Sequence, residues 1–327
     1  MRRVILLLSL MLLLALMVLT LASLCGSVGC QRFSAVDEHA AVLLQLRLPR
    51  ALAAFVVGGL LALAGALMQV LLRNPLADPY VLGLSGGSAA GALLALLAAG
   101  HFGFSSVGVA AMGASAGAAL AVSLLFGLAR RSLRHLPLSP QLAGHRLILT
   151  GVMLAAGFGS LISLALTLAS DTQLRGMVFW LMGDLDDARF LPAAAVVLLL
   201  VLIWAVFNAP RLNMLARGES FAQLLGVPVV RLRIALLCVA SLSTAAAVTV
   251  AGTIGFVGLV VPHGLRLLFG NDQRLLLPAS VLAGGSALAL ADLLARTIAA
   301  PTQLPVGVVT ALCGVPVFLW LLSRGKA

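Results

Sequence analysis

Charge is scarce in this sequence. Only 9% of its 327 residues are Asp, Glu, Lys or Arg, where a water-soluble domain carries about 25%. With 62% hydrophobic residues and a mean hydropathy of +1.15, the chain must be solvated mostly by lipid. Lysine is scarcer still, and Lys326 is the only one. A phosphate-binding loop needs a lysine after its glycines to reach the phosphates, so this chain has no such loop. None of the four cysteines has the spacing of a zinc site. Cys238 and Cys313 lie inside apolar runs, where a thiol behaves as a small hydrophobe. Cys25 and Cys30 flank the end of the first run and would pair only if they face an oxidising compartment. Also missing is a basic stripe interleaved with aromatics. The formal net charge is +11, but the arginines are spread between hydrophobic runs, which excludes a nucleic-acid partner.

What the sequence does have is apolar runs of spanning length. About 20 residues at 1.5 Å rise each are needed to cross roughly 30 Å of hydrocarbon. Runs that meet this standard cover 4–24, 51–72, 81–100, 107–128, 147–169, 190–207, 234–252, 254–269, 275–295 and 304–322. They predict an all-α polytopic membrane protein of about ten transmembrane helices, a single domain over 1–327. The run at 254–269 is short and glycine-rich, as a tilted or partial span would be. The first run imitates a signal peptide, with Cys25 placed as in a lipoprotein. Its length exceeds the roughly 7–15 residues of a signal's apolar core, and Leu24 is too large for the cleavage site. It reads as a retained spanning helix.

Arginine placement orients the bundle. With a cytoplasmic N-terminus and ten spans, fifteen basic residues fall inside. Six fall outside: Arg32, Arg47, Arg50, Arg175, Arg189 and Arg296. That satisfies the positive-inside rule and puts both termini in the cytoplasm. Glycine and alanine crowd 82–94 and 108–121, a composition that lets helices approach closely in lipid.

Several motifs compete for attention. LSGGS (84–88) resembles the signature loop of an ABC ATPase and, with Gly83 ahead of it, gives the G-x-S-G of intramembrane serine proteases. No lysine or positioned base supports either reading. An ion-driven secondary transporter would need ionisable residues at mid-membrane. Asp292 is the only acid within a span, and it lies near the outer end. Pro262 and His263 mark a kinked span, and a lone histidine holds no metal. Arg47, Arg50 and Arg296 sit at outer helix ends, where anchoring at the lipid interface and docking of an acidic partner are both open.

The segment RLNMLARGESFAQLLG (211–226) is polar, amphipathic and set between apolar runs. Gly218 divides it into two short helical pieces. Leu212, Met214, Leu215, Leu224 and Leu225 offer an apolar face, and Pro228 ends it. It suits a membrane-surface helix or a peg for a cytoplasmic partner.

Stretches 46–87, 213–228, 252–278 and 302–322 together resemble the permease subunits of type II ABC importers for iron chelates, haem and vitamin B12. The resemblance runs over nearly the whole chain in the same order. It implies a homodimer of ten-helix subunits in the bacterial inner membrane, with the path on the two-fold axis. Two ATP-binding cassette subunits would sit below and a periplasmic substrate-binding protein above. The permease itself would bind no cofactor, and ATP would be used by the partner. By the same resemblance, coupling to the ATPase falls on Leu212, Met214, Leu215, Arg217, Gly218, Glu219, Gln223, Leu224, Leu225 and Gly226. Docking of the binding protein falls on Arg47, Arg50 and Arg296, facing glutamates. The linker LAGHR (142–146) matches the region of the cytoplasmic gate, with Gly144 and His145 where the vitamin B12 permease has hydroxyl residues. WLMG (180–183) and NMLARGES (213–220) lie nearest the vitamin B12 branch. The order of cargo is then cobalamin, haem and ferric siderophore, with specificity residing in the binding protein.

Overall fold

The computed structural model describes residues 2–27, 29–30, 43–102, 108–134, 140–186 and 188–324. Helix α1 covers Arg2–Leu24 and runs into a small hairpin, β1 (Cys25–Gly26) paired antiparallel with β2 (Gly29–Cys30). A π-helical turn at Leu43–Arg47 leads into α2, Leu48–Leu71. After a 3-10 turn at Pro79–Leu82 come α3 (Leu84–Phe102), α4 (Val109–Arg134) and α5 (Pro140–Leu168). A short helix α6 (Asp171–Leu181) precedes α7 (Leu191–Arg217) and the six-residue α8 (Glu219–Leu224). The chain finishes with α9 (Val229–Ala251), α10 (Val257–Phe269), α11 (Gln273–Thr297) and α12 (Val306–Arg324).

Among the described residues the fold is all-α apart from the hairpin. Among the described residues, eight helices are long and apolar enough to cross a membrane. Two shorter apolar helices, Val257–Phe269 and Val306–Leu321, fall on the two remaining predicted runs. Helix α2 is apolar on every side, which places a helix at the centre of a bundle. Leu60, Leu61, Leu63, Leu67 and Met68 are all fully buried in it. Helices α11, α9, α10 and α7 pack around α2. Conversely, α1 and α7 present rows of exposed leucines, among them Leu6, Leu10, Leu13, Leu199 and Leu200, as lipid-facing helices do.

The small-residue runs do serve close packing. A methyl group on Gly91 would overlap the Gly113 carbonyl, and one on Gly117 would overlap the Gly87 carbonyl. Helices α3 and α4 therefore meet backbone to backbone, with Gly87 of LSGGS inside that contact and Gly86 against Ala155 and Phe158 of α5.

Three features depart from the sequence expectation. The run at 190–207 and the first piece of the 211–226 segment form one continuous helix, α7, which passes through Pro210. Proline removes one backbone donor and kinks a helix without having to end it, and the chain stops only at Gly218. Helix α6 was not anticipated, although Ser170-x-x-Gln173 forms a capping box at its start. Residues 142–146 lie within α5 rather than in a linker.

Candidate functional site

Two groups of polar residues stand at opposite ends of the bundle. At the hairpin end, Cys25 and Cys30 form a disulfide that closes the β1–β2 turn. A helix leaves its last carbonyls without intrahelical donors, and α1 has two arginines to satisfy them. Arg47 Nη1 donates to the Leu24 carbonyl at 2.9 Å. Arg296 Nη2 donates to the Ala22 carbonyl at 3.1 Å, and its Nη1 to the Cys25 carbonyl at 3.5 Å.

Asp292 joins Arg296 to a third arginine, Arg50. Its Oδ2 accepts from Arg296 Nε and its Oδ1 from Arg50 Nε, each at 2.9 Å. Asp292 and Arg296 are one helical turn apart on α11, the spacing at which side chains share a face. The carboxylate is completely buried. Two cations and one anion packed together leave a net positive charge at this end, and the carboxylate holds both guanidiniums by their Nε edges. Arg50 Nη1 faces outward, where it pairs with Asp186 and donates to Gln303 Oε1 at 3.2 Å.

The three arginines predicted for docking thus converge on one cavity of about 400 Å³, walled by Gly26, Ser27, Gln45, Arg47, Arg50, Asp186, Arg296 and Gln303. Arg47 and Arg296 are buried, and Arg50 is the one whose donors reach the cavity mouth. The loop carrying Asp186 is fastened underneath. Asp184 N–H donates to the Ala251 carbonyl at 2.9 Å, and Gly307 N–H to the Met182 carbonyl at 3.0 Å. Burial, followed by the nearby charge of Asp186, pushes the Asp184 carboxyl above its ordinary range.

At the opposite end, α7 and α8 present the segment predicted for coupling. Gly218 and Gly226 both adopt positive φ, 140° and 77°, which lets the chain break after α7 and turn again after α8. The apolar face foreseen from sequence divides here. Leu212 and Leu215 point into the chain's own core, and Met214 is half-buried. Leu224 is 87% exposed, Leu225 54% and Phe221 41%. Arg217, Gln223 and Gly226 are also exposed. Glu219 is not, because its carboxylate lies buried 3.5 Å from Arg233 Nη1 on α9.

A second tie fixes the same end. Asn213 Nδ2 donates to Asp272 Oδ1 at 2.8 Å, and Asn213 Oδ1 accepts from Gln273 N–H at 2.9 Å. Asp272 caps α11 and accepts from Arg274 N–H. Partial burial raises the Asp272 carboxyl pKa, but these hydrogen bonds outweigh it and hold the group below its ordinary range. Gly144 and His145 fall in the helical backbone of α5, and their side chains lie outside the described ones.

Sequence reasoning placed the three arginines at one end but missed what joins them. The signal was present: Asp292 is the lone acid of a span and Arg296 follows it by four residues. Asp292, the lone acid of a span, is committed to two guanidiniums.

Comparison with known proteins agrees with this geometry. The profile of the FecCD transport family matches residues 5–324. The ABC transporter permease protein YvrB of Bacillus subtilis is 43% identical over 91% of this chain and 82% of its own length. The vitamin B12 import system permease protein BtuC of Escherichia coli is 41% identical over 86% of this chain and 83% of its own length. A solved inward-facing metal-chelate type ABC transporter superposes with a TM-score of 0.87 at 31% identity, covering 98% of this chain and 99% of that one. The chain belongs to the FecCD transport family and is a permease subunit of an ABC importer, whose ATP is hydrolysed by a separate ATPase.

Proposed function

We propose that the chain forms a homodimer that carries a metal chelate, cobalamin foremost, from the periplasm to the cytoplasm. Both termini face the cytoplasm, so the hairpin end is outer and α8 is inner. The observation that carries the reading is the exposed trio Phe221, Leu224 and Leu225, with Glu219, Asn213 and Asp272 satisfied inside the chain. A membrane-surface helix of six residues would be a poor anchor, whereas three apolar side chains on a braced turn suit a groove in an ATPase. At the outer end, the arginine cavity is the seat for glutamates of a periplasmic binding protein, because rim charges steer an encounter and fix its register. Gly144 and His145 stand in the gate region. The preference for cobalamin is supported by the likeness to the vitamin B12 permease, with haem and ferric siderophores next.

The test is uptake into proteoliposomes containing the permease, its ATPase and its binding protein. ATP-dependent accumulation of cyanocobalamin, exceeding that of haemin or ferrichrome, is the expected result. Accumulation of haemin or ferrichrome with no cyanocobalamin uptake would reverse the order of cargo. No uptake of any of the three would refute the chelate reading.

A further inference from the structure

We propose that Asp186 is a placeholder carboxylate: it occupies the edge of Arg50 that an acidic docking partner would take, and so sets how readily that partner seats. The inference rests on the docking reading above and adds a residue to it. The three cavity arginines are not equivalent. Arg296 directs its Nε to Asp292 and both terminal nitrogens to carbonyls of α1 and the hairpin. Arg47 is buried and bonded to the Leu24 carbonyl. Arg50 gives its Nε to the same buried Asp292, and its Nη1 meets Asp186 and Gln303 at the cavity mouth.

The two acids on Arg50 differ in kind. Asp292 is sealed in the bundle, and its removal would strand the buried Arg296 and the half-buried Arg50. The Asp186 side chain is 64% exposed, against 13% for Arg50. It sits on the loop between α6 and α7, where its backbone N–H donates to Asp184 Oδ1 at 3.1 Å. An exposed pair of this sort contributes little stability and breaks easily. A partner's carboxylate can replace it with the same charge and the same donor, so Arg50 is never left bare. The displaced loop is bonded to Ala251 and Gly307, at the ends of α9 and α12, so the exchange is felt by two helices.

Phenylglyoxal labelling of the purified permease, read arginine by arginine by mass spectrometry, measures how well each guanidinium is covered. In Asp186→Asn the rate at Arg50 rises about two- to fivefold, the size expected when one exposed ion pair is lost, while Arg47 and Arg296 keep their wild-type rates. Asp186→Glu, which retains the charge, keeps Arg50 protected. Fluorescent hexaglutamate, used as an acidic probe, binds Asp186→Asn about two- to fivefold more tightly than wild type. It no longer binds the double variant Asp186→Asn/Arg50→Gln. An unchanged Arg50 labelling rate in Asp186→Asn overturns the placeholder. If labelling rises but hexaglutamate binds neither protein, the docking reading fails and the placeholder's role fails with it, so the two failures are told apart.

Discussion

The arginine cavity, outer in the orientation proposed above, and the α8 turn, inner in it, use similar components to present opposite surfaces. Both ends hold a buried carboxylate partnered by arginine, Asp292 with Arg50 and Arg296 at the hairpin end and Glu219 with Arg233 at the α8 end. At the hairpin end Asp292 holds Arg50 by its Nε and leaves the Arg50 Nη1 facing the cavity. At the α8 end the buried pair consumes the charge and leaves apolar side chains facing out. A binding protein that seats and leaves is suited by exchangeable charge, which steers association without locking it. A partner that stays is suited by apolar contact, as in lasting complexes. On the proposed reading, the difference between the ends is one of contact lifetime, with exchange at the cavity and retention at α8.

The largest effect should come from Asp292. Asp292→Asn leaves the buried Arg296 and the half-buried Arg50 without their shared anion, at a cost of about 3–5 kcal/mol. A marked fall in Tm in detergent, with loss of the monodisperse gel-filtration peak, is expected. An unchanged Tm would mean that the carbonyls of α1 alone hold the arginines. The inner end should respond according to which way each leucine points. Leu215→Asp places an unpaired charge in the core and should cost about 3 kcal/mol or more. Leu225→Asp should stay within about 0.5 kcal/mol, as surface changes do. Equal losses of Tm in the two variants would erase the distinction between a buried and an exposed face.

The smallest effect concerns pH at the outer loop. The folded Asp184 carboxyl is raised by burial and by Asp186, so the native state holds that proton more tightly than the unfolded chain. The stabilising contribution is full below the unfolded value of about 3.9 and is lost as pH rises through the folded one. Asp184→Asn should therefore be slightly more stable than wild type near neutrality, with the gap closing toward about pH 4. A gap that widens on acidification would reverse the assignment.

Much of this was legible in the sequence because lipid imposes a length on every span. The ten apolar runs correspond to helices, and the glycines of 82–94 and 108–121 do mark a close contact. What could not be read depends on turns that bring distant residues together. Glu219 reaches Arg233 only because the chain reverses around Gly226 and Pro228. Asp186 meets Arg50 across 136 positions. Cys25 and Cys30 pair because a two-strand turn forms after α1, which no local pattern announced. The amphipathic face of 211–226 was misjudged for a related reason. Once α7 continues through Pro210, Leu212 and Leu215 keep the helical phase of the span and turn inward, and only α8 is free to face out.

The most direct test of the account is capture of the ATPase by the purified permease. Leu224→Asp and Leu225→Asp, each placing a charge on the exposed α8 face, should reduce the ATPase retained in a pull-down at least tenfold, equivalent to about 1.4 kcal/mol or more. Insertion, dimer formation and hexaglutamate binding at the outer end should stay at wild-type levels. If both variants retain the ATPase as wild type does, the α8 face is not the coupling contact and the account of the inner end is wrong.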